Sequence, residues 1–449
     1  MTTTATPPAS DAAPSTTRMS HPVVGARAPR GHIGAIVAGS FAGGLLAAVA
    51  LVAAPFIPPT EAGLTGAVLC GIALGWALLA VLSTRFTDQP QRWAAAPALV
   101  MGLSGLLLIA FGHSALELLS WVWPPVMLAL AVWMLVSARR HLHSPSRRWL
   151  VYPALGVLAL ASLGGGYQTV RAAVEASADA MPGQLVDVGG HRLHLTCTGS
   201  GSPTVVLEPG AGMVSAQLGL ITPTVARDTR VCVYDRAGRG WSEPAATRQD
   251  ATQIATDLHT LLERAQVPGP YVLAGHSFGG LYVMTFAARY PADVAGLVLV
   301  DSTPPASPAD ATATAPDDAG ASPLADRVVT LVSASARLGV TRLAGLPTPN
   351  DVRSTIEEYG QGGSSTREAA ALRDFAGNPL IVLTAGIGHD ADASAAQDAL
   401  ATLSTGSVHR VIDDVDHMGM IVDEDGAAAT ARAILDVVTS IRTATPMVD

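Results

Sequence analysis

Apolar residues are distributed along this chain in two different ways. From about residue 33 to 167 they form five long blocks, at 33–57, 64–82, 94–111, 118–136 and 149–167, with almost no charge inside them. Each block is near the ~20 residues a helix needs to cross a hydrocarbon core about 30 Å thick, so five membrane-crossing helices are expected. No charged residue sits in mid-span to suggest an ion path. Beyond residue 184 the runs shrink to four to six residues, at 184–188, 192–197, 204–207, 230–234, 271–274, 296–300, 379–384 and 408–412. Helical periods lie between several of them, at 251–265, 281–288, 394–403 and 426–442. Short buried runs alternating with helices predict a mostly parallel sheet covered on both faces.

The same patterning sets the expected boundaries. Residues 1–30 are rich in Thr, Ala and Pro and have no period, which predicts a disordered tail. That tail sets the first apolar block too far in for an ordinary cleaved signal peptide. Residues 31–167 form an all-α membrane region, 168–183 a polar, Ala-rich connector, and 184–449 a soluble domain. Within it, 302–375 forms an insertion that begins with low-complexity Ala/Pro/Asp/Thr sequence at 302–323 and then favours helices near 324–344, 351–358 and 365–374. Gly39–Gly43 and Gly71–Gly75 have the small-xxx-small spacing that lets membrane helices approach closely.

Charge gives the membrane half a direction. Residues 1–166 carry nine arginines against four acids, and the remainder 18 against 32, or net +5 and −14. So acidic a domain is a poor partner for nucleic acid or an anionic bilayer surface. Arginines flank the first block on its N-terminal side (Arg18, Arg27, Arg30) and fill the gaps after the second (Arg85, Arg92) and fourth (Arg139, Arg140, Arg147, Arg148). The other two gaps carry only Glu61 and Glu117. By the positive-inside rule the N-terminus is cytoplasmic, and five spans put the soluble domain outside. The expectation is an integral plasma-membrane protein.

The chemistry centres on Gly275-His276-Ser277-Phe278-Gly279, set between an apolar run and a helical period. A turn that sharp forces Ser277 into a strained conformation and holds its hydroxyl up for a general base. The N–H of Phe278, at a helix N-terminus, faces a developing oxyanion. Further signals are the strand-end loop Gly210-Ala211-Gly212, the turn Tyr234-Asp235-Arg236-Ala237-Gly238 with Ser242 beyond it, and a late histidine in Asp416-His417-Met418-Gly419.

With these residues, the stretch from 184 to 442 resembles the α/β-hydrolase family. The resemblance implies an eight-stranded, mostly parallel sheet with a lid, here 302–375, between the sixth and seventh strands. It implies Ser277 as nucleophile and His417 as base, in the chain order Ser…Asp/Glu…His. Of the other histidines, His191, His194, His259, His276 and His409 read as packing or surface residues. For the acid two places stay open. Asp301 ends the sixth strand; Asp390 and Asp392 follow the seventh in a stretch lacking the usual Gly-x-x-Asp spacing. Asp301 is favoured. The resemblance also assigns the second oxyanion donor to the N–H of Ala211, although Pro209-Gly210 stands where the family carries His-Gly. Cys197 and Cys232 fall on strands that the family pairs, so an oxidising compartment would join them in a disulfide. A serine at the elbow implies ester, thioester or amide substrates, small or lipid-like, with no cofactor; no cluster has metal-ligand spacing. Two alternatives remain: an aminopeptidase of the proline-releasing kind, using Glu357 or Glu358 to hold a substrate amine, and a non-catalytic membrane sensor or scaffold.

Overall fold

The computed structural model describes residues 33–143, 145, 147–178, 181–307, 323–344, 346 and 348–447. The tail expected at 1–30 and most of the low-complexity stretch at 302–323 lie outside these residues.

Helices α1 (Ile33–Ala53), α2 (Glu61–Phe86), α3 (Ala95–His141) and α4 (Tyr152–Ala178) open the chain, all long and apolar enough to cross a membrane. A straight α3 would run about 70 Å. Instead, Gly112 adopts φ 58° and ψ −132°, a conformation that glycine enters without the strain a side chain would bring, and the helix folds back there. Trp123 Nε1 donates to Ser104 Oγ at 2.9 Å, a pair that a straight helix would hold about 28 Å apart. Gln91 Nε2, just before the helix, reaches the His141 carbonyl at its far end at 3.1 Å. The third and fourth apolar blocks are thus two legs of one hairpin, and the gap expected between them shrinks to a single glycine.

Small residues close the bundle from within. A Cβ at Gly71 would lie 2.4 Å from the Ala48 backbone, and one at Gly44 would lie 2.8 Å from Gly75 Cα. The Gly71–Gly75 pair therefore packs α2 on α1 of the same chain, while Gly39 faces open space. Helix α4 continues through residue 178, so most of the expected connector is helical; Arg171 and Glu175 pair along it at 3.1 Å.

The soluble domain is an eight-stranded sheet in the order β1-β2-β4-β3-β5-β6-β7-β8. Its strands are β1 (Gln184–Asp187), β2 (Arg192–Thr198), β3 (Thr204–Glu208), β4 (Val231–Tyr234), β5 (Tyr271–His276), β6 (Val294–Val300), β7 (Leu380–Ala385) and β8 (Ser407–Ile412). β2 runs antiparallel to both its neighbours, β1 and β4, and every other pair is parallel. β3, β4, β5 and β7 are buried at every residue, which is why their sequences are continuously apolar rather than alternating. One face packs α5 (Ala251–Arg264) and α6 (Phe278–Arg289); the other packs α11 (Glu424–Thr443). Cys197 and Cys232 are directly opposite in the β2–β4 register and joined in a disulfide.

The insertion after β6 contributes α7 (Pro323–Ala334), α8 (Pro349–Gly360) and α9 (Gly362–Ala369), close to the helices its sequence favours. It rests on the helical bundle. Arg327 donates to the carbonyls of Val52 and Ile57, both at 2.8 Å, satisfying acceptors that the end of α1 leaves open. Arg337 pairs with Glu61, and Arg342 with Glu175 at 2.7 Å. All these contacts lie at one end of the bundle. The opposite end, where Gln89 and Gln91 meet residues 143 and 141, carries Arg85, Arg92, Arg139 and Arg140.

Candidate active site

Ser277 sits where β5 meets α6, at φ 54° and ψ −124°, far from the backbone conformations open to most residues. The surrounding packing over-determines that strain. A Cβ at Gly275 would lie 2.5 Å from the Gly279 carbonyl, and one at Gly279 would lie 2.4 Å from the Glu208 carbonyl, so neither position accepts a side chain. Ser277 N–H donates to the Val300 carbonyl at 3.1 Å, pinning the elbow to the end of β6.

Asp301 follows β6 directly, at φ 43°, and its buried carboxylate is fully engaged. Oδ2 meets His417 Nδ1 at 2.6 Å. Oδ1 accepts from the Ala385 N–H at 3.0 Å and meets His389 Nε2 at 2.8 Å. Burial pushes this carboxyl up, but the His417 hydrogen bond, the Ala385 N–H and the His389 charge outweigh it and hold the group below its usual range. Asp390 is occupied elsewhere. Its side chain accepts from the Ala393 N–H at 2.8 Å and caps α10 (Ala391–Ala401). Sequence reasoning gave His389 no role; its contact with Asp301 spans 88 residues and leaves no local signal.

His417 leaves its ring half-exposed at the mouth of the site, 4.6 Å between ring centroids from His276, the residue before Ser277. No hydrogen bond joins the Ser277 hydroxyl to His417 among the described residues. His276 is buried, and its Nε2 donates to the His417 carbonyl at 2.9 Å, fixing the loop that carries His417. Burial, helped by the neighbouring His417, pushes the His276 imidazole down to about 4 from 6.5. Between pH 6.5 and 4 the unfolded chain therefore takes up a proton that the folded chain does not, and acidification through that window costs up to about 3 kcal/mol of stability. His276→Gln should flatten this slope, read as the difference in unfolding midpoint between variant and wild type over the same pH range.

The loop expected to supply the second oxyanion donor is held from below. Arg236 donates to the carbonyls of Pro209 and Gly210, both at 2.7 Å. A trans peptide directs its N–H opposite to its C=O, so the Ala211 N–H points away from Arg236. Gly210 lies against Ser277, where an added Cβ would approach the serine Cβ to 3.1 Å. Phe278, first in α6, has an N–H without an intrahelical acceptor. Arg236 thus secures the loop that lacks the family's histidine.

Arg236 belongs to a buried charge network that sequence reading missed. Its Nε donates to Glu358 Oε1 at 2.7 Å and its Nη1 to Glu208 Oε1 at 2.6 Å. Arg239 Nη2 donates to Glu358 Oε2 at 2.9 Å, the Gly212 N–H to the same oxygen at 2.8 Å, and the Tyr234 hydroxyl to Glu208. Burial raises both carboxyls: Glu208 rises to about 7, whereas Glu358, facing two guanidiniums, ends below the usual range. Glu358 lies on lid helix α8, so the lid is latched to the loop beside Ala211. Glu358→Ala would leave the buried Arg239 without a carboxylate and Arg236 with Glu208 alone, and is expected to cost about 3–5 kcal/mol in denaturant unfolding of the full chain. Glu357, by contrast, is half-exposed and paired with Arg353 at 2.9 Å.

The remaining histidines serve structure. His194 meets Asp235 at 2.9 Å, which with Ser242 closes the turn after β4; His191 lies 3.4 Å from Asp257; His409 meets Asp398 at 2.8 Å; His259 stacks on Tyr290. No group of three metal-ligating side chains occurs among the described residues.

A family model described as the alpha/beta hydrolase fold matches residues 203–326. An uncharacterised protein of Schizosaccharomyces pombe is 37% identical over 152 residues, covering 27% of this chain and 28% of its own length. A 2-(acetamidomethylene)succinate hydrolase of Mesorhizobium japonicum is 30% identical over 132 residues, covering 29% of this chain and 47% of its own. The chain thus spans less than half the length of these relatives. Among solved structures, an enol-lactonase from Burkholderia xenovorans aligns at a TM-score of 0.42 and 22% identity, covering 57% of this chain and 100% of that one. Eight strands in this order, the strained serine between β5 and α6, and the matching family model together make the soluble half an α/β-hydrolase domain, carried behind a bundle of helices apolar enough to cross a membrane.

Proposed function

We propose that this protein is a membrane-tethered serine hydrolase that cleaves an ester bond, or a related thioester or amide, in a small or lipid-like acyl compound. The observation that carries the reading is the 2.6 Å contact of Asp301 with His417 beside the strained Ser277. Asp301 holds the imidazole with its proton on Nδ1, leaving Nε2 to take the Ser277 proton as Oγ attacks the acyl carbonyl. The N–H groups of Ala211 and Phe278 stabilise the oxyanion. His417 then protonates the leaving group, and water, activated by the same imidazole, releases the acyl-enzyme. The acid is Asp301; Asp390, already capping α10, stays outside the reaction.

The bundle holds the domain on the outer face of the membrane, N-terminus inside. Support comes from the lid docking at the end of the bundle away from Arg85, Arg92, Arg139 and Arg140, and from a disulfide suited to an oxidising compartment. The ester reading gains from the lid carboxylates: Glu358 is engaged by two arginines and Glu357 by Arg353, so neither is left to hold a substrate amine. Chromogenic acyl esters tested beside aminoacyl-arylamides separate the two reactions. Ester turnover is expected. Arylamide release without ester turnover would replace this reading with an aminopeptidase.

A further inference from the structure

Where the lid meets the bundle, the helices leave a cavity of about 670 Å³, within the size range of small-molecule sites. It is separate from Ser277 and has no part in the reaction proposed above. We infer that this cavity binds a neutral single-chain amphiphile, an uncharged head on one acyl or alkyl chain, drawn from the bilayer. The inference rests on the membrane reading of the bundle and not on hydrolysis.

Three observations fix the class of occupant. The walls are apolar almost throughout: Leu69, Leu108, Leu116 and Leu158 from the bundle, Leu331 and Leu338 from the lid. The shape is long. Along α4 the lining runs from Ala173, toward the lid end, to Leu158, 15 residues or about 22 Å deeper in the bundle, the dimension of a chain rather than of a compact ring. The charge at the mouth is balanced. The two charged lining residues are Glu117 and Arg337, which face each other at 3.7 Å, and Arg337 is also held by Glu61. A fatty acid or phosphate head would have to compete with two carboxylates for that guanidinium, whereas a hydroxyl head donates to Ser120 and Thr169, whose own protons go to the Glu117 and Gly165 carbonyls, without displacing a charge. Because lid and bundle each supply a wall, an occupant adds apolar contact between them.

The test uses the full chain in phosphatidylcholine nanodiscs, with a 1-O-alkylglycerol, an ether that ester hydrolysis leaves intact, carrying a diazirine in its chain. After photolysis, adducts are expected in residues 116–124, 158–173 and 331–338. With unlabelled 1-O-oleylglycerol in tenfold excess over its own Kd, adducts there should fall roughly tenfold, as mass action requires. Ala161→Trp, which fills the cavity, should remove the same adducts while ester turnover persists. The protection experiment on wild type needs no variant to fold. Labelling spread over lipid-facing residues such as Leu45, Leu46 and Val49, and insensitive to competitor, would overturn the site. Equal protection by oleate would overturn the neutral head.

Discussion

Replacing Ser277 by alanine is expected to lower kcat for a chromogenic ester by roughly 10⁴–10⁶-fold, about 5–8 kcal/mol of barrier. The size of the loss follows from what the hydroxyl does. Without Oγ no acyl-enzyme forms, and the remaining imidazole and oxyanion donors assist only direct attack by water, a residual route worth about 10³–10⁴ over solution. Stability should hardly change, because the alanine variant keeps the backbone contacts, including the N–H donated to Val300. Steady-state hydrolysis and thermal unfolding on the same preparation check both halves. A fall below tenfold would mean that the chemistry lies elsewhere.

Asp301→Asn and Asp390→Asn should differ by about four orders of magnitude. Asp301 accepts from His417 Nδ1, so an amide there favours the imidazole tautomer with its proton on Nε2, unable to receive the Ser277 proton. The expected loss in kcat is about 10⁴-fold, with KM little changed, since the carboxylate is buried behind the ring and does not reach substrate. Asp390 accepts the Ala393 N–H as an N-cap, a position where asparagine serves about as well as aspartate. Its substitution should leave kcat within roughly twofold and stability within a few tenths of a kcal/mol. The opposite ranking of the two variants would transfer the acid's role to Asp390.

The parts of the molecule legible in the sequence are those whose cause is local. The inner strands β3, β4, β5 and β7 could be read because a parallel sheet buries both their faces and leaves unbroken apolar runs such as Leu380–Ala385. The elbow was legible because both its glycines face backbone atoms that exclude a Cβ. The helical hairpin in α3 was half legible: its two apolar legs were evident, but that one residue, Gly112, suffices to reverse the chain depends on a φ no pattern reveals. The connector at 168–183 reads as polar, yet Arg171, Ala172, Ala173 and Glu175 are good helix formers and α4 simply continues. Contacts between distant positions were beyond reach. Arg236 and Glu358 lie 122 residues apart, Arg327 and Val52 275, and nothing near either pair marks the other. The choice between Asp301 and Asp390 was of this kind: both follow strands, and only the fold distinguishes a residue facing His417 from one capping a helix.

Covalent labelling of the full chain in membranes by a fluorophosphonate, with the adduct mapped to its residue by mass spectrometry, tests the central claim most directly. The account predicts one stoichiometric adduct on Ser277 Oγ, lost in Ser277→Ala and strongly slowed in Asp301→Asn. An adduct on a different serine, or folded protein that hydrolyses esters while Ser277 stays unmodified, would contradict it.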